Sequence, residues 1–514
     1  MVTLDEIESM LLQPPSDDAP PPEPLERAKS AYKPLDTFKL EKGRSYQQQY
    51  ADTYFLRLTK IKPAVEQVAE AAWGGTVIGG ETAKKADRVL DVRQGELCWV
   101  AGTVYMDMSL KPNILDDVSK DKWISAPTTV GKYFDGVDDA DTIMLEDDSG
   151  RIRLTGDILK SVMLVTGCII AVVGTENASG DFEVLDVKFA DLPPQPERWA
   201  LSELPQNDAN GPAAKGKKAA ARSEDVEMTD ASAPGGSSSK IAIVSGLNFD
   251  GNDTSYAFEL NLLLEYLLGQ ALDPSAQAEI SHISRLIIAG NSIAAANPRF
   301  GESAGEKKAA QKKYGYDASS YNALPSTLLD RFLAALLRTM PVTVLPAEHD
   351  PANASYPQQP IHTAMFPKSR PYAAAPNSKQ KGWLDLVTNP WEGEVDGWRL
   401  LGTGGQNVDD LYKYIDSEDR VGMMEVMCRW RCSAPTAPDT LWSYPFQDDD
   451  PFVMTECPHV YFVGCQPEFG TKVVDGPDGQ QVRLIAVPSF SESKELVLLD
   501  TETLEVSRVK ISTS

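Results

Sequence analysis

Histidine and cysteine are scarce in this sequence, with four and six copies among 514 residues. The cysteines are widely scattered, which argues against a disulfide framework and indicates reduced thiols in a cytosolic or nuclear protein. No apolar run reaches the roughly 18–20 residues needed to span a bilayer. The opening stretch, MVTLDEIESMLLQPP, is acidic where a signal peptide is basic, so we expect neither a membrane span nor a signal peptide.

Positive charge is also in short supply. There are 49 Lys and Arg residues against 75 Asp and Glu residues, a net charge of −26. An acidic surface repels phosphate backbones, so the composition favours protein partners over duplex DNA or anionic membranes. Two familiar catalytic motifs are missing as well. The glycine-rich stretches at 402–407 and 464–472 do not match G-x-x-x-x-G-K-[ST], and no G-x-S-x-G turn occurs.

The first half of the chain changes character along its length. Residues 1–40 are rich in Pro and acidic residues, which predicts a mostly disordered segment containing a short apolar helix at Ile7–Leu12 that docks elsewhere. Helical spacing over residues 46–73 predicts a helix that Pro63 kinks or restarts. From about 88 to 189, short β-rich runs separated by turns favour a small OB-fold barrel, with a β-sandwich as the alternative.

The second half begins after a stretch that is poor in bulky apolar residues. Residues 205–240 predict a flexible linker, and its basic run Lys215–Arg222 fits either a nuclear address or solvated linker. From residue 241, strands alternate with amphipathic helices, which predicts a layered α/β domain. The expected organisation is a disordered segment (1–40), a helix and OB-fold domain packed on or inserted in the second domain (41–204), the linker (205–240) and the α/β domain (241–514).

Polar residues and glycines follow four of the predicted strands in this second domain. The carboxyl ends of such strands are where α/β proteins hold ligands and metals. One of these ends carries His349 beside Asp350, a pair that a metal site would use. The strand-end positions are Gly246, Asn248, Gly290, Asn291, His349, Asp350, Gly464, Cys465 and Gln466.

The layout resembles the calcineurin-like metallophosphoesterases, whose motifs run D-x-H, G-D-x-x-D, G-N-H-[DE] and G-H-x-H. In this sequence they fall on Gly-Leu-Asn at 246–248, Gly-Asn-Ser-Ile-Ala at 290–294, Ala-Glu-His-Asp at 347–350 and Gly-Cys-Gln-Pro at 464–467. Most motif positions that supply metal ligands are therefore occupied by other residues. Only the last two positions of the third motif, His349 and Asp350, keep the residue types of the family.

A two-metal site needs several anionic or imidazole ligands, one of them a carboxylate that bridges both ions. Asn291 at the bridging position is neutral, and Gly246 has no side chain. We therefore predict no catalytic residue, no bound metal and no cofactor. His349 and Asp350 are expected to hold their own loop by hydrogen bonds, because polar groups in such a loop must be satisfied.

A second metal candidate is a zinc set made from Cys428, Cys432, Cys457 and His459. Zinc ligands usually come in tighter pairs on turns, whereas these residues lie in apolar surroundings. The sequence favours buried thiols over a zinc site.

Several stretches carry a family resemblance. In the barrel half they are QQQYADTYFLRLTKIKP, GTVYMDMSLKPNIL, LEDDSGRIRL and LVTGCIIAVVG; in the second half they are IAIVSGLNF, LIIAGNS, LPAEHDPANASYPQQPIHTAMFP, TNPWEGEVDGWRLLGTGGQNVDDL and CPHVYFVGCQPEFGTK. Together they resemble the small (B) subunits of eukaryotic replicative DNA polymerases, and specifically those of DNA polymerase delta. The similarity covers most of residues 45–510. Ala347, where the family usually has Gly, and the long insertion near 205–240 depart from the pattern.

The resemblance implies an inactive phosphoesterase that serves as a scaffold in nuclear DNA replication and repair. Such subunits bind the cysteine-rich C-terminal domain of the catalytic subunit on one side. On the other side they bind a third subunit that links the enzyme to the sliding clamp. DNA is then contacted only indirectly, and the resemblance allows the same subunit to serve polymerase zeta. Tryptophans are candidate interface anchors, with core packing as the alternative: Trp391, Trp398, Trp430 and Trp442.

Three other functions remain open at the level of sequence. An active phosphodiesterase or nuclease would use His349 and Asp350 with a single metal. An OB-fold protein would itself bind single-stranded nucleic acid. The third alternative, within the same class, is a small subunit of polymerase alpha, epsilon or zeta.

Overall fold

The described part of the chain forms a six-stranded barrel, two further six-stranded sheets, one two-stranded sheet and the helices that cover them. In this computed structural model the described residues are 25–41, 50–78, 80–112, 131–133, 141–199, 239–251, 256–269, 274–294, 323–374 and 382–511.

The first half consists mainly of one long helix and a six-stranded barrel. Its elements are strand β1 (Tyr32–Leu35), helix α1 (Ala51–Trp73) and strands β2 (Val77–Ile78), β3 (Glu81–Thr82), β4 (Lys84–Lys85), β5 (Leu97–Asp107), β6 (Thr142–Glu146), β7 (Arg151–Thr155), β8 (Ile169–Glu176) and β9 (Asp181–Lys188). The strand order is β4-β5-β6-β7-β9-β8, and β5 also pairs with β8. The sheet therefore closes on itself, which decides for the barrel and against the sandwich.

Helix α1 packs along the barrel with one apolar face. Its buried residues recur every three or four positions, at Leu58, Ile61, Val65, Ala69 and Trp73. That spacing places them on one side of a helix. The helix continues through Pro63, so the predicted restart at this proline is wrong. Burial of one face on both sides of the proline holds the two parts together as one element.

The second half contributes two six-stranded sheets. Its elements are β10 (Lys240–Val244), α2 (Ala257–Leu268), α3 (Pro274–Ser281), β11 (Ile283–Ala289), α4 (Leu324–Leu336), β12 (Val342–Leu345), β13 (Leu384–Leu386), β14 (Trp391–Val395), β15 (Trp398–Thr403), α5 (Gln406–Tyr414), α6 (Arg420–Arg429), β16 (Val460–Gln466), β17 (Gly470–Asp475), β18 (Gln481–Pro488), α7 (Phe490–Ser493), β19 (Glu495–Asp500) and β20 (Val506–Lys510). The sheet orders are β13-β12-β11-β10-β19-β20 and β1-β14-β15-β16-β18-β17.

The two sheets face each other between layers of helices. Along β10, Ile241 and Ile243 join the core between the sheets, whereas Ala242 and Val244 join the core beneath α2 and α4. On the other sheet, alternate residues of β16 pack inward and outward in the same way, and the outward core is continuous with that of the barrel. Strands buried on both faces read as near-continuous apolar runs, which is the pattern seen in KIAIV and HVYFV.

Residues 25–41, here called the N-terminal strap, correct one prediction. The composition predicts disorder here, but β1 pairs antiparallel with β14, with Tyr32 opposite Val395. Phe38 is 3% exposed and stacks on Phe452. The strap is ordered because its few apolar and aromatic side chains are buried against the second half, which average composition does not reveal.

Some predictions fall outside the described residues. These are the helix at Ile7–Leu12, its surroundings in residues 1–24, and the basic run Lys215–Arg222 with nearly all of the predicted linker. Within the described ranges, no helix is both long enough and apolar enough to cross a membrane.

Candidate functional site at the carboxyl ends of the parallel strands

The predicted strand-end positions meet where the two sheets approach each other. The Gly246 amide donates to the Gly290 carbonyl and the Asn248 amide to the Asn291 carbonyl, each over 2.9 Å. The Cys465 amide donates to Ser245 Oγ over 2.9 Å. Loops after β10, β11 and β16 are thus bonded to one another. We call Gly246, Asn248, Asn291, His349, Asp350, Cys465 and Gln466 the strand-end cluster.

The backbone of the cluster is unusual. Gly246 has a φ of +59°, and a Cβ there would lie 2.2 Å from Ser489 Oγ. Asn248, Asn291 and Cys465 also have positive φ, at 44°, 47° and 54°. Asn tolerates this region, whereas Cys does not favour it. Strained backbone of this kind concentrates at binding and catalytic sites, which makes these loops the candidate site.

Both oxygens of the Asp350 carboxylate accept hydrogen bonds from backbone N–H groups of the loops. Its Oδ1 accepts from the Ile293 amide over 3.0 Å, and its Oδ2 accepts from the Ala347 amide over 2.9 Å. The residue is 5% exposed. Burial raises the pKa of Asp350 to about 6, and the backbone N–H donors oppose that rise. The prediction that Asp350 holds its own loop is confirmed.

His349 behaves differently from Asp350. Its side chain is exposed, and the hydrogen bond that ties it to the cluster runs from its backbone N–H to Asn291 Oδ1 over 3.0 Å. The prediction that His349 helps to hold its loop is confirmed, and the atom that does so is the backbone N–H. Its acceptor is the side-chain oxygen of Asn291.

Cys465 and Gln466 are the last two residues of β16, so the β14–β18 sheet supplies this side of the cluster. Burial, together with the negative charges of Asp350 and Asp409, holds the pKa of the Cys465 thiol well above its usual range. The sulfur lies 3.8 Å from the Ala289 carbonyl. Gln466 Nε2 donates to the Gly464 carbonyl over 3.1 Å, and its Oε1 meets no donor among the described residues. A protonated thiol is a poor ligand for hard divalent cations, which take oxygen ligands, and a neutral amide oxygen brings no charge to balance them.

A network of side-chain amides is hydrogen-bonded to the loop that carries His349 and Asp350. Asn389 Oδ1 accepts from the Gly404 amide and from the Tyr356 hydroxyl, over 2.9 and 3.0 Å. Asn389 Nδ2 donates to Gln358 Oε1 and to Gln406 Oε1, both over 2.9 Å. Gln358 Nε2 in turn donates to the Ala347 carbonyl over 3.2 Å. The network thus connects the blocks DPANASYPQQPIH, TNPWEGEVDGW and GTGGQN, and no sequence pattern identified its residues.

The second metal candidate does not assemble. In the described part of the chain, no group of three His, Cys, Asp or Glu residues is arranged to hold a metal ion. Burial raises the pKa of Cys432 to about 11 and that of Cys457 to about 12, so both thiols stay protonated. His459 Nδ1 accepts from the Arg399 amide over 3.1 Å. These residues are packing groups, as the apolar context indicates.

The candidate anchor tryptophans are mostly core residues. Trp391 and Trp430 are 1% and 0% exposed, and Trp398 and Trp442 are half-buried. Trp383, which no sequence pattern singles out, is 47% exposed. Core packing therefore explains Trp391 and Trp430.

Two protein families match the sequence. Residues 241–471 match the DNA polymerase alpha/epsilon B-subunit family, and residues 49–187 match the DNA polymerase delta subunit OB-fold domain. The DNA polymerase delta small subunit of Saccharomyces cerevisiae is 34% identical over 498 residues, covering 91% of each chain. The chain belongs to the family of DNA polymerase delta small subunits. Similar subunits from Oryza sativa subsp. japonica and Arabidopsis thaliana are 34% and 32% identical, and each alignment covers 95% of this chain and at least 97% of the relative.

The membership confirms the resemblance seen in the sequence and assigns the barrel to the OB-fold class. The chain is an accessory subunit of DNA polymerase delta, a regulatory component of DNA replication.

Proposed function

We propose that this subunit is a noncatalytic scaffold whose strand-end cluster is the remnant of a two-metal phosphoesterase site. In this proposal residues 241–514 form a calcineurin-like phosphoesterase domain, and residues 41–204 form the helix and OB-fold domain. A linker over residues 205–240 separates them. The cluster keeps the position of the ancestral site and has exchanged its ligands for residues that hold the loops.

The observation that carries the proposal is the use of the Asp350 carboxylate. Both of its oxygens accept backbone N–H groups, and the Asn291 oxygen at the bridging position accepts another from His349. The nearby carboxylate of Asp409 is paired with Arg420 over 2.8 Å. Two divalent ions would bring four positive charges to a cluster with one buried carboxylate, and a charge left without compensation at a buried site is strongly unfavourable. The residues present do not fit a two-metal centre.

The proposed partners are other polymerase subunits. One surface would bind the cysteine-rich C-terminal domain of the catalytic subunit, and another would bind a third subunit that links the enzyme to the sliding clamp. DNA would be reached through these partners, in keeping with the net charge of −26. The scaffold would act in the nucleus, with Lys215–Arg222 as a candidate nuclear address, and could also serve polymerase zeta.

The scaffold role is tested by purification of the tagged full-length chain from nuclear extract at moderate salt. We expect stoichiometric recovery of a large polymerase chain and a third, smaller subunit, identified by mass spectrometry. Recovery of the chain alone as a monomer would contradict the scaffold.

The loss of catalysis is tested separately, by metal analysis and by hydrolysis of bis-p-nitrophenyl phosphate with added Mn²⁺ or Mg²⁺. We expect no stoichiometric metal and no hydrolysis that depends on His349. Hydrolysis that disappears in His349→Ala and persists in His362→Ala, another exposed histidine, would show that the site is active.

A further inference from the structure

An apolar groove lies on the outer face of the β10–β13 sheet, between helices α2 and α4. It encloses about 300 Å³. Its floor is buried, with Phe249 and Phe332 at 7% and 5% exposure, and its walls are half-buried leucines. Apolar surface left in water costs about 25 cal/mol per Å², so a groove of this kind favours an apolar occupant. The residues that line the groove include Phe249, Leu260, Leu264, Leu328, Arg331 and Phe332.

The groove continues as an apolar stripe along helix α2. Leu260, Leu264 and Leu268 are spaced four residues apart, so they follow one side of the helix toward its C-terminal end. At that end the N-terminal strap is fixed to the fold. The Arg27 guanidinium donates to the carbonyls of Leu267, Ile280 and Ile283 over 2.7, 3.1 and 2.9 Å. The segment that precedes Arg27 is therefore attached to the fold at the end of the stripe.

The first residues of the chain have the pattern of a short amphipathic helix. Leu4, Ile7 and Leu11 follow the i, i+3, i+7 spacing of one helix face. Thr3 and Glu6 have the spacing of a capping box, in which each side chain satisfies a backbone N–H of the first turn. Pro14 follows closely and would end the helix. A helix this short is marginal in water by itself and needs an apolar surface to pack on.

We propose that residues 4–12 bind in this groove as an amphipathic helix of the same chain, with Leu4, Ile7 and Leu11 facing its apolar floor. Asp5 and Glu6 then face solvent, and Glu8, which is i+4 from Leu4, lies at the edge of the apolar face toward the Arg331 rim. This contact covers the apolar groove within the subunit itself and makes residues 4–12 a binding element.

The tether is long enough for this contact. Fourteen residues separate Leu12 from Arg27, which makes fifteen steps along the chain, and a Pro-rich chain spans about 3.1 Å per step, or roughly 46 Å in total. Helix α2 has 12 residues and is about 18 Å long. A tether of this length gives an effective concentration in the millimolar range, so a weak helix–groove contact is sufficient.

Amide hydrogen exchange on the full-length chain tests the proposal. The variant Ile7→Asp/Leu11→Asp places two charges on the apolar face. The control variant Ser9→Asp/Gln13→Asp places two charges on the opposite face of the same segment. We expect exchange in α2 and α4 to become about tenfold faster in the first variant, for an intrinsic affinity near 0.1 mM, and to stay unchanged in the control. Equal exchange in wild type and both variants would overturn the proposal.

A second experiment identifies the occupant directly. A chain lacking residues 1–24 is expected to lose the protection, and a peptide of residues 1–15 added at millimolar concentration is expected to restore it. The change Leu264→Asn on the groove wall should weaken that restoration. Protection of the full-length chain that disappears on dilution would instead indicate a second copy in the groove. Protection lost only when residues 295–322 are deleted would indicate that internal segment. Either result would overturn the proposal.

Discussion

Arg57 of helix α1 and Asp450 form a buried ion pair, with 2.9 Å between Nε and Oδ2. The two residues are 4% and 1% exposed. Arg57 Nη1 also donates to the carbonyls of Pro435 and Ala437 over 2.8 and 2.9 Å. One side chain of the barrel half thus bonds three groups of the second half. The relative position of the two halves is fixed by directional contacts as well as by a shared apolar core.

Removing one partner of this pair should weaken the fold strongly. We expect Asp450→Ala to lower the free energy of unfolding by about 3–5 kcal/mol, because it leaves the Arg57 charge buried and uncompensated. Chemical denaturation of the purified chain measures the change. The double variant Arg57→Met/Asp450→Ala should recover part of the loss, since no buried charge remains, while the carbonyls of Pro435 and Ala437 lose their donor.

The matched control is an ion pair whose two side chains are exposed to solvent. Lys160 and Asp157 lie 3.3 Å apart with side chains 84% and 100% exposed. Lys160→Ala should change stability by less than about 1 kcal/mol. A double variant at 57 and 450 that is no more stable than Asp450→Ala alone would contradict the explanation by buried charge.

The amide network beneath the strand-end cluster predicts a graded effect. Asn389→Ala leaves the Gly404 amide without its acceptor and the oxygens of Gln358 and Gln406 without one of their donors. We expect a loss of about 2–4 kcal/mol, since each buried group left unsatisfied costs about 1–3 kcal/mol. Tyr356→Phe removes a single donor from the same network and should cost about 1 kcal/mol. Equal losses for the two variants would contradict a network centred on Asn389.

Local periodicity is enough to predict much of this architecture. The strands at 240–244, 283–289 and 342–345 and the helices between them follow apolar patterns that the sequence displays directly. Strand spacing favours a barrel over a sandwich, but pairing between β5 and β8 is needed to decide. The stretches that resemble the family can be recognised in the sequence. The hydrogen bonds that join these stretches in the fold cannot.

The features that the sequence does not reveal share a physical cause. Strand β1 pairs with residues about 360 positions away, so no local pattern indicates that the strap is ordered. The network through Gln358, Asn389 and Gln406 likewise joins loops that are distant in sequence. At His349 the residue type is informative but the bonding atom is not, because backbone N–H groups are common to all residues except proline.

The buried carboxylate of Asp350 predicts a pH dependence of stability. Its pKa is raised from 3.8 to about 6 in the fold, so the folded state holds the proton more tightly than the unfolded state. The stabilisation is complete below the unfolded pKa and is lost as pH rises through the folded value. The size of the effect is up to about 3 kcal/mol between pH 4 and 6, from 1.4 kcal/mol per pKa unit.

The test compares wild type with Asp350→Asn, which cannot titrate. Wild type should lose stability relative to this variant as pH rises from 4 to 7, and the comparison removes contributions that both proteins share. Denaturation midpoints at several pH values measure the difference. A difference that is constant, or that moves in favour of wild type with rising pH, would contradict the raised pKa.

Gly246, the glycine of the strand-end cluster, should be difficult to replace. Alanine there would adopt a φ near +59° and place its Cβ 2.2 Å from Ser489 Oγ. The left-handed backbone alone costs an alanine about 1–2 kcal/mol, and the overlap adds a further penalty. Gly75→Ala isolates the first contribution, because Gly75 has a φ of +76° with nothing within 4 Å of its Cβ position. We therefore expect Gly246→Ala to lower the denaturation midpoint well beyond Gly75→Ala, and Ser489→Gly to recover part of the excess. Equal effects at the two glycines would mean that the loop yields without cost, and that contact with Ser489 does not hold the cluster in shape.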